Sequence, residues 1–346
     1  MSDITDLKKV TIIGDLFMRA DVFADALRQL DGVRFDIRTF ETDWPDNPFG
    51  PAFDGIREYQ GSAEASAQQI DDADICITHL APISRSVFER CPNLRYIGVS
   101  RGGPVNIDLK AARDFGVTVA NAPGRNASAV AEFTVGAILS QTRLITQAHV
   151  DLRRGVWRGD LYRADRTGRE LSQMTVGLIG YSAVGRRVAR LLAPFGCRII
   201  YCDPFVELSD DDRELGVHKC DLDDLLSDAD IVSLHARLTP QTRRMIDGKT
   251  LSAMKRGAYL INTARGELLD QAALIEALES GQLAGAALDT YDPEPPFPDD
   301  PLLKLTNITL SPHIAGASAL VAEHTAQRIA ADVGNFLAGR ELNNPC

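Results

Sequence analysis

Short runs of β-branched and aliphatic residues alternate with amphipathic stretches along the whole chain. In the N-terminal part the pattern predicts strands at 10–14, 74–78, 94–99 and 117–120, and helices at 21–30, 84–90 and 108–115. Further on it predicts strands at 175–180, 198–202, 230–234, 258–262, 285–288 and 307–310, and a helix at 270–278. Prolines and glycines at 42–61 predict a long loop instead. Such alternation is typical of α/β folds with parallel sheets.

The chain is predicted to form two domains. A long helical stretch at 127–153 separates the two series of strands, and the segments at 121–124 and 311–316 have the character of domain crossings. The last predicted helix, at 317–338, is too short to form a domain, so we expect it to pack on the N-terminal unit. The predicted domains are therefore a discontinuous one, 1–120 with 316–346, and a second one, 121–315.

Composition narrows the classes of partner. The chain has 346 residues, of which 45% are hydrophobic and 25% charged, the balance of a soluble globular protein. The formal net charge of −11 opposes general attraction to nucleic acids or anionic membrane surfaces. No apolar run approaches the roughly 20 residues of a membrane helix. We expect neither a nucleic-acid partner nor a membrane partner.

The six cysteines form no Cys-x-x-Cys pair and have no histidine nearby at metal spacing. This pattern predicts reduced thiols and no metal site. The first nine residues lack the apolar core of a signal peptide. We therefore expect a cytoplasmic protein.

A glycine-rich turn follows the predicted strand at 175–180. Gly180 and Gly185 occupy the first and third positions of a Gly-x-Gly-x-x-Gly pattern between a strand and a helix. Gly180 permits the tight turn, Gly185 permits close packing of helix on strand, and the helix N-terminus receives a pyrophosphate. Ser182 departs from the pattern at the middle position, where its Cβ crowds the phosphate while its hydroxyl could donate to it.

An acidic residue at the end of the next strand separates a dinucleotide site from an ordinary strand–helix corner. Asp203 occupies that position, where a carboxylate reaches a ribose 2′-hydroxyl. No arginine or lysine at 204–207 is available for a 2′-phosphate. The two features together predict NAD as cofactor rather than NADP.

Three further polar residues follow strands of the same predicted sheet. Arg265, Glu294 and His313 come after the strands at 258–262, 285–288 and 307–310, so they can meet at its carboxyl edge. Each alone fits a structural role, as a helix cap, a loop charge or a satisfied histidine. Their combination on successive strand ends favours catalysis.

The chain resembles the D-isomer-specific 2-hydroxyacid dehydrogenase family over nearly its whole length. The similarity is densest at 121–124, 129–132, 176–185, 233–235, 238–240 and the three segments with Arg265, Glu294 and His313. The resemblance implies an α/β fold of two Rossmann-like, doubly wound parallel-sheet domains with the active site in the cleft between them. It also implies a homodimer, with the long helix after the first crossing in the contact.

The resemblance implies roles for individual residues. Arg265 would bind the substrate carboxylate and polarise the carbonyl, His313 would exchange a proton with the C2 oxygen, and Glu294 would hydrogen-bond His313. Around the cofactor it implies Asp289 at the nicotinamide carboxamide, Thr263 and Ala264 lining the site, backbone N–H groups of Ala183 and Val184 at the pyrophosphate, and Gly316.

Chemistry alone supports the same roles. Hydride transfer to a keto acid leaves an alkoxide that must gain a proton, and histidine titrates closest to neutrality. Arginine offers a two-point fork to a carboxylate.

The segment 99–108 corresponds to the family's substrate loop and predicts substrate binding by Arg101, Gly102 and Gly103. Arg101 stands where small residues are usual, and Val105 replaces the usual aspartate. The segment 78–82 lacks the arginine common in phosphoglycerate-specific relatives. Arg101 is either a substrate determinant or a surface arginine pointing away, and the particular acid stays open.

The function predicted is NAD-dependent interconversion of a D-2-hydroxy acid and its 2-keto acid. One alternative is a formate dehydrogenase, but those relatives have glutamine at the position of Glu294. The other is an NAD-sensing corepressor of the same fold, which typically carries an extended tail, whereas this chain stops at Cys346.

Overall fold

The computed structural model describes residues 7–46 and 49–346, and the chain divides into two compact units. The first unit contains the residues up to Arg125 together with Ser318–Cys346, and the second contains Asn126–Ala317. The chain thus leaves the first unit and returns to it, and the observed division points lie a few residues beyond the boundaries expected from the sequence.

The first unit is built on a parallel sheet. Its strands are β1 (Lys8–Asp15), β2 (Phe35–Thr42), β3 (Ile75–Thr78), β4 (Tyr96–Val99) and β5 (Thr118–Asn121), and its first helices are α1 (Ala20–Arg28), α2 (Ala63–Ile70), α3 (Arg85–Arg90) and α4 (Leu109–Asp114). The strand order is β2-β1-β3-β4-β5, and all pairings described in it are parallel. This is the order of flavodoxin-like doubly wound sheets.

The second unit is built on a larger parallel sheet. Its strands are β6 (Thr175–Ile179), β7 (Arg198–Cys202), β8 (Val217–Lys219), β9 (Ile231–Leu234), β10 (Ala258–Asn262), β11 (Leu283–Leu288) and β12 (Ile308–Leu310). Its helices are α5 (Ala127–Thr142), α6 (Ile145–Arg153), α7 (Ala183–Leu192), α8 (Asp210–Glu214), α9 (Leu222–Asp228), α10 (Gly248–Ala253) and α11 (Gln271–Glu279). The order β12-β11-β10-β9-β6-β7-β8 is that of a Rossmann sheet with one added strand.

The last helix, α12 (Ala319–Leu337), belongs to the first unit, where it packs on α1 and β4. This agrees with the expectation for the predicted helix at 317–338. The side chain of Ile329 in α12 packs against the backbone of Gly98 in β4. A side chain on residue 98 would occupy the space that Ile329 takes.

Several elements differ from the sequence prediction. The predicted helix at 127–153 is two helices, α5 and α6, because Leu144 adopts a left-handed conformation with φ of +57° between them. The strands β2 and β8 and the helices α2, α8, α9 and α10 have no counterpart among the elements predicted from the pattern. In β2 three of the eight residues are exposed and the others are only half-buried, so the strand lacks the buried apolar run of its neighbours. Beyond Thr42, the described part of the predicted loop at 42–61 contains no helix or strand, while Asn47 and Pro48 lie outside the described residues.

Both units bury the interior of their sheets. Every residue of β3, β4 and β9 is buried, as parallel strands covered by helices on both faces require. No helix in the described part of the chain has the length and apolar character needed to cross a membrane.

We expect Gly98→Ala to destabilise the first unit by about 1–3 kcal/mol, because overpacking forces backbone and side chains apart. The added Cβ would lie 2.8 Å from Cγ2 of Ile329. Denaturant unfolding of single and double variants measures the effect, and Ile329→Ala should cost less stability in the Gly98→Ala background than alone.

Gly136→Ala in α5 is the matched control, since its added Cβ has no neighbour within 4 Å. Alanine should there raise stability by about 0.5–1 kcal/mol. Equal effects at the two glycines would mean that α12 does not press on β4.

Candidate active site

The candidate residues of the second unit lie at the carboxyl edge of its sheet. β6 and β9 are neighbours in the sheet although two strands separate them in the chain, so the strand order reverses between them. Ligands of open α/β sheets bind in the crevice at such a reversal. Gly180 follows β6 directly, so the glycine-rich turn lies beside this crevice.

The turn after β6 has no space for side chains at its two glycines. Gly180 has a φ of +93°, and a Cβ there would lie 2.6 Å from the backbone nitrogen of Ala236. A Cβ on Gly185 would lie 2.4 Å from the carbonyl oxygen of Gly180. Only glycine fits at these two positions, and α7 begins at Ala183 with its first N–H groups next to the turn.

Ser182 is the exposed N-cap residue of α7, but its hydroxyl makes no capping hydrogen bond. The side chain is thus available to a ligand at the helix N-terminus. The hydroxyl of Ser182 is therefore able to donate a hydrogen bond to a phosphate oxygen.

Asp203 ties the end of β7 to the glycine turn. Its Oδ2 accepts from the backbone N–H of Tyr181 at 2.8 Å, and its Oδ1 accepts from the N–H of Phe205 at 2.9 Å. Each oxygen keeps a lone pair for a further donor. The half-buried carboxylate is therefore fixed in orientation and still able to accept from a ribose hydroxyl.

A buried polar group behind the turn was missed by sequence reasoning. Asp212 is fully buried and accepts from the hydroxyl groups of Ser209 and Tyr181 at 2.6 and 3.1 Å. Burial by itself would raise the pKa of Asp212, but these hydrogen bonds hold the pKa below its usual value. The ring of Tyr181 stacks on Tyr201 at 4.1 Å, so this cluster supports the turn from below. Nothing in the sequence pattern singles it out.

Arg265 lies in a tight turn at the end of β10. The amide of Asn262 closes this turn, since its Nδ2 donates to the carbonyl of Arg265 at 2.9 Å and its Oδ1 accepts from the N–H of Ala264 at 3.0 Å. A Cβ on Gly266 would lie 2.0 Å from the backbone of Tyr291, so only glycine fits there. The exposed guanidinium of Arg265 contacts the protein through the carbonyl of Ala264.

Thr263, predicted to line the cofactor, is buried, and its hydroxyl lies 2.8 Å from the hydroxyl of Thr134 in α5. Ala264 beside it is half-buried. The contact between the two threonines attaches the turn with Arg265 to α5.

Glu294 and His313 are in direct contact. Oε1 of Glu294 lies 2.6 Å from Nδ1 of His313, and the two side chains are 37% and 42% exposed. With Nδ1 committed to the carboxylate, Nε2 is the ring nitrogen left for a ligand. His313 has a φ of +54°, a strained conformation that recurs at functional sites.

Asp289 holds the loop that carries His313. Its Oδ1 accepts from the hydroxyl of Ser311 at 2.6 Å and from the N–H of Ile314 at 2.9 Å, and its Oδ2 accepts from the N–H of Ala315 at 2.8 Å. The carboxylate is buried. Asp289 therefore positions the histidine, a role that the sequence did not reveal.

Gly316 closes the same loop against α5. A Cβ on Gly316 would lie 2.3 Å from Nδ2 of Asn126, so the chain approaches that amide too closely for a side chain. Because glycine has no side chain, any contact of Gly316 with the cofactor would be made by its backbone atoms.

His235, at the end of β9, is not available for proton exchange. Burial lowers its pKa to about 4, and its Nε2 lies 3.0 Å from the hydroxyl of Ser233. The neutral ring is buried, and the backbone of His235 itself lies against Gly180.

The predicted substrate residues lie in the first unit, after β4. The guanidinium of Arg101 donates to the carbonyl of Glu58 at 2.6 Å and pairs with the carboxylate of the same residue. Gly102 and Gly103 are exposed, and the carbonyl of Gly102 accepts from the side chain of Asn121 at 3.1 Å. Arg101 is thus folded onto the protein rather than extended into solvent.

Similarity to known proteins identifies the family of this chain. Residues 135–315 match the family model of the NAD-binding domain of D-isomer-specific 2-hydroxyacid dehydrogenases. A glyoxylate reductase of Korarchaeum cryptofilum is 38% identical over 279 residues, which cover 80% of this chain and 84% of that protein. The chain belongs to the D-isomer-specific 2-hydroxyacid dehydrogenase family.

Two further relatives extend the similarity. A putative 2-hydroxyacid dehydrogenase of Bacillus subtilis is 39% identical over 251 residues, which cover 72% of each chain. The NAD complex of a D-isomer-specific 2-hydroxyacid dehydrogenase from Lactobacillus delbrueckii superposes with a TM-score of 0.80 at 25% identity, covering 98% of this chain and 100% of that one. The expected fold class, the enzyme class and NAD as cofactor are confirmed: the protein is an NAD-dependent dehydrogenase of this family.

Proposed function

We propose that this dehydrogenase interconverts a D-2-hydroxy acid and its 2-keto acid, with His313 as the acid–base group. The observation that carries the proposal is the contact between Glu294 and His313, which leaves Nε2 of the imidazole for the substrate oxygen. The nicotinamide of bound NAD supplies or accepts the hydride. In reduction, His313 donates a proton from Nε2 to the C2 oxygen, and in oxidation it takes that proton back.

Arg265 is the proposed carboxylate receptor. Its exposed guanidinium, on a turn that Asn262 and Gly266 hold rigid, can donate two parallel hydrogen bonds to a planar carboxylate. The same positive charge draws electrons from the adjacent carbonyl, which favours hydride arrival at C2.

The proposed cofactor residues are those of the two glycine-bearing loops and their neighbours. The turn would hold the pyrophosphate through backbone N–H groups, Asp203 the ribose, and the loop closed by Asp289 the nicotinamide end. They are Gly180, Ser182, Ala183, Val184, Gly185, Asp203, Thr263, Ala264, Asp289 and Gly316.

Substrate choice is proposed to depend on Arg101, Gly102 and Gly103. Because the guanidinium of Arg101 is held by Glu58, its influence would come through the shape and charge of this loop. Relative rates across a panel of acids, compared between the wild type and Arg101→Ala, test this role. An unchanged ranking of the acids would exclude it.

Turnover distinguishes the enzyme from its alternatives. NADH oxidation is measured with a panel of 2-keto acids, including phosphorylated and sugar-derived ones, and NAD reduction with formate. The Glu294–His313 pair favours a proton-exchanging reaction, which formate oxidation does not need. Absence of turnover with the whole panel, despite NADH binding, would favour the NAD-sensing corepressor.

We expect a preference for NAD(H) over NADP(H), because Asp203 repels a 2′-phosphate and accepts from a 2′-hydroxyl. Asp203→Asn should lower the ratio of kcat/KM with NAD(H) to kcat/KM with NADP(H) by about tenfold or more. The reason is that a hydrogen bond to a charged group contributes roughly 1.5–3 kcal/mol. Steady-state kinetics with both cofactors measure it. Glu207→Gln, an exposed acid on the same loop, is the control. Equal use of the two cofactors by the wild type would contradict the role of Asp203.

The pH dependence tests the Glu294–His313 pair. Reduction needs protonated His313 and should fall as pH rises, whereas oxidation needs the neutral ring and should rise. Glu294→Gln keeps the hydrogen-bonding shape and removes the carboxylate charge in contact with the ring, so both profiles should change. The measurement is kcat/KM against pH in both directions.

His313→Ala should abolish both directions while NADH binding is largely kept, since the nucleotide is held elsewhere. Glu279→Gln, an exposed acid on α11, is the control and should leave the profiles in place. Profiles unmoved by Glu294→Gln would mean that another group sets the pH dependence.

We also propose a homodimer that uses the segment 145–166. α6 has no buried side chain, and apolar residues of this segment are strongly exposed, among them Trp157 at 82% and Tyr162 at 95%. Apolar surface of this kind marks interfaces, and a stable one buries at least about 1,000 Å².

The wild type should therefore sediment as a dimer at micromolar concentration, and the double variant Trp157→Glu/Tyr162→Glu as a monomer. Analytical ultracentrifugation gives the masses. Phe205→Glu replaces an equally exposed aromatic residue outside the segment and should stay dimeric. A monomeric wild type, or a dimer that persists in the double variant, would refute the use of this segment.

A further inference from the structure

A half-buried cation, Arg125, lies at the carboxyl edge of the first sheet, near enough to Arg101 to be affected by its charge. Arg125 lies just beyond β5, and its guanidinium donates to Nε2 of His79 at 3.1 Å. Nδ1 of the same ring lies 2.5 Å from Oδ2 of Asp15. Asp15 ends β1 and His79 follows β3, so these two side chains meet across neighbouring strand ends, and Arg125 reaches them from the segment after β5.

The contacts of His79 define its protonation. Nε2 has to accept from Arg125, so the ring proton is on Nδ1 and is donated to Asp15. Burial lowers the pKa of His79 to about 4, against the opposing effect of Asp15, and the ring is therefore neutral at pH 7. The Asp15–His79 pair orients Arg125, and the carboxylate of Asp15 acts on the guanidinium only from the far side of the imidazole ring, where it opposes the lowering of the pKa of Arg125.

Arg125 is half-buried and lacks the carboxylate partner that a largely desolvated guanidinium ordinarily has. Its other contacts are the sulfur of Met18 at 3.9 Å, a weak acceptor, and the ring of Phe17, whose centroid lies 5.9 Å away. Among residues 7–46 and 49–346, no carboxylate lies within ion-pair distance of it. Burial, and then the positive charge of Arg101, lower the pKa of Arg125 to about 10. A desolvated cation with such partners is stabilised by an anion, best by one that matches its planar fork.

The surroundings have the form of a ligand site. The order β2-β1-β3-β4-β5 reverses between β1 and β3, whose ends carry Asp15 and His79, and ligands of doubly wound sheets bind at such a reversal. The half-buried rings of Phe17 and Trp44 stand edge-on to His79, with centroids 6.2 and 5.4 Å from it. At the end of β4, the buried hydroxyl of Ser100 has no hydrogen-bond partner in the described part of the chain.

We propose that Arg125, oriented by the Asp15–His79 pair, anchors a carboxylate-binding site at the reversal point of the first sheet. The ligand is a small organic acid whose carboxylate pairs with the guanidinium and whose carbon chain contacts Phe17 and Trp44. The carboxylate belongs either to the substrate, at a position remote from the reacting carbon, or to a separate acid. If the carboxylate belongs to the substrate, the inference rests on the proposed function. If it belongs to a separate acid, the inference is independent of that function.

Succinate is a suitable probe, because it carries two carboxylates and no keto or hydroxyl group to react. The chain has two tryptophans, so Trp157→Phe leaves Trp44 as the reporter of this site. In that background, succinate at constant ionic strength should change Trp44 fluorescence with saturation. Arg125→Gln should weaken this binding by about ten- to a hundredfold, and Arg125→Lys by less, since lysine keeps the charge and loses the fork.

Two matched variants assign the signal to Arg125. Arg28→Gln removes an exposed arginine of α1 and should leave succinate binding unchanged. Arg265→Gln removes the other proposed carboxylate receptor and should also leave the Trp44 signal in place. Melting temperature adds a second readout: Arg125→Gln should keep the stability of the ligand-free protein and lose the rise that succinate gives to the wild type.

Kinetics then separate the two sources of the carboxylate. If it belongs to the substrate, Arg125→Gln raises KM at least about tenfold for a dicarboxylic 2-keto acid and leaves KM for a monocarboxylic one unchanged. If it belongs to a separate acid, both KM values stay the same while succinate binding is lost. Both results support the site, and the succinate titration stands even if no 2-keto acid is turned over.

The proposal is overturned if succinate gives no saturable signal, or if Arg125→Gln binds it as tightly as the wild type. It is also overturned by the following pair of results. Arg125→Gln lowers the melting temperature of the ligand-free protein, whereas Arg125→Lys has the stability of the wild type and binds succinate as tightly. Arg125 would then be a structural residue only. Should Arg125→Gln fail to fold, the lysine variant decides, because undiminished binding in it contradicts recognition by the fork.

Discussion

The candidate site residues of this protein lie beyond the ends of its strands, because the interior of the sheets has no room for ligand-binding groups. The strand pairings described in both units are parallel, and inner strands such as β3 and β9 are buried along their whole length. Helices must cover both faces of such sheets, so polar side chains in the interior would lose water without gaining a partner. Only where strands end can charged groups reach a ligand, and the residues of both candidate sites lie there.

This confinement explains why candidate site residues could be placed at the sheet edge from the sequence. A strand leaves a short apolar run in the chain, and the polar residue that follows it is therefore at the sheet edge. Asp203, Arg265 and His313 were found in this way, and the contact of His313 with Glu294 agrees with their expected pairing. The two glycines of the turn were recognised because a close backbone approach permits no other residue there.

Features that depend on long-range contacts could not be predicted. The long-range donors to the buried carboxylates of Asp212 and Asp289 could not be identified from the sequence, because only the fold brings them to these residues. The break at Leu144 has no glycine or proline to mark it, and β2 is an edge strand with too few apolar residues to show as one. The partners of Arg101 and Arg125 come from segments 43 and 46 residues away, beyond the reach of any local pattern.

The return of α12 to the first unit has a consequence for synthesis on the ribosome. β4 leaves the ribosome early, but the helix that covers Gly98 is translated only after the entire second unit. Domains generally fold as units while the chain emerges, so the second unit can reach its native state first. Until Ile329 arrives, the first sheet keeps an apolar face open to water, and during that interval the nascent chain is most exposed to aggregation and most dependent on chaperones.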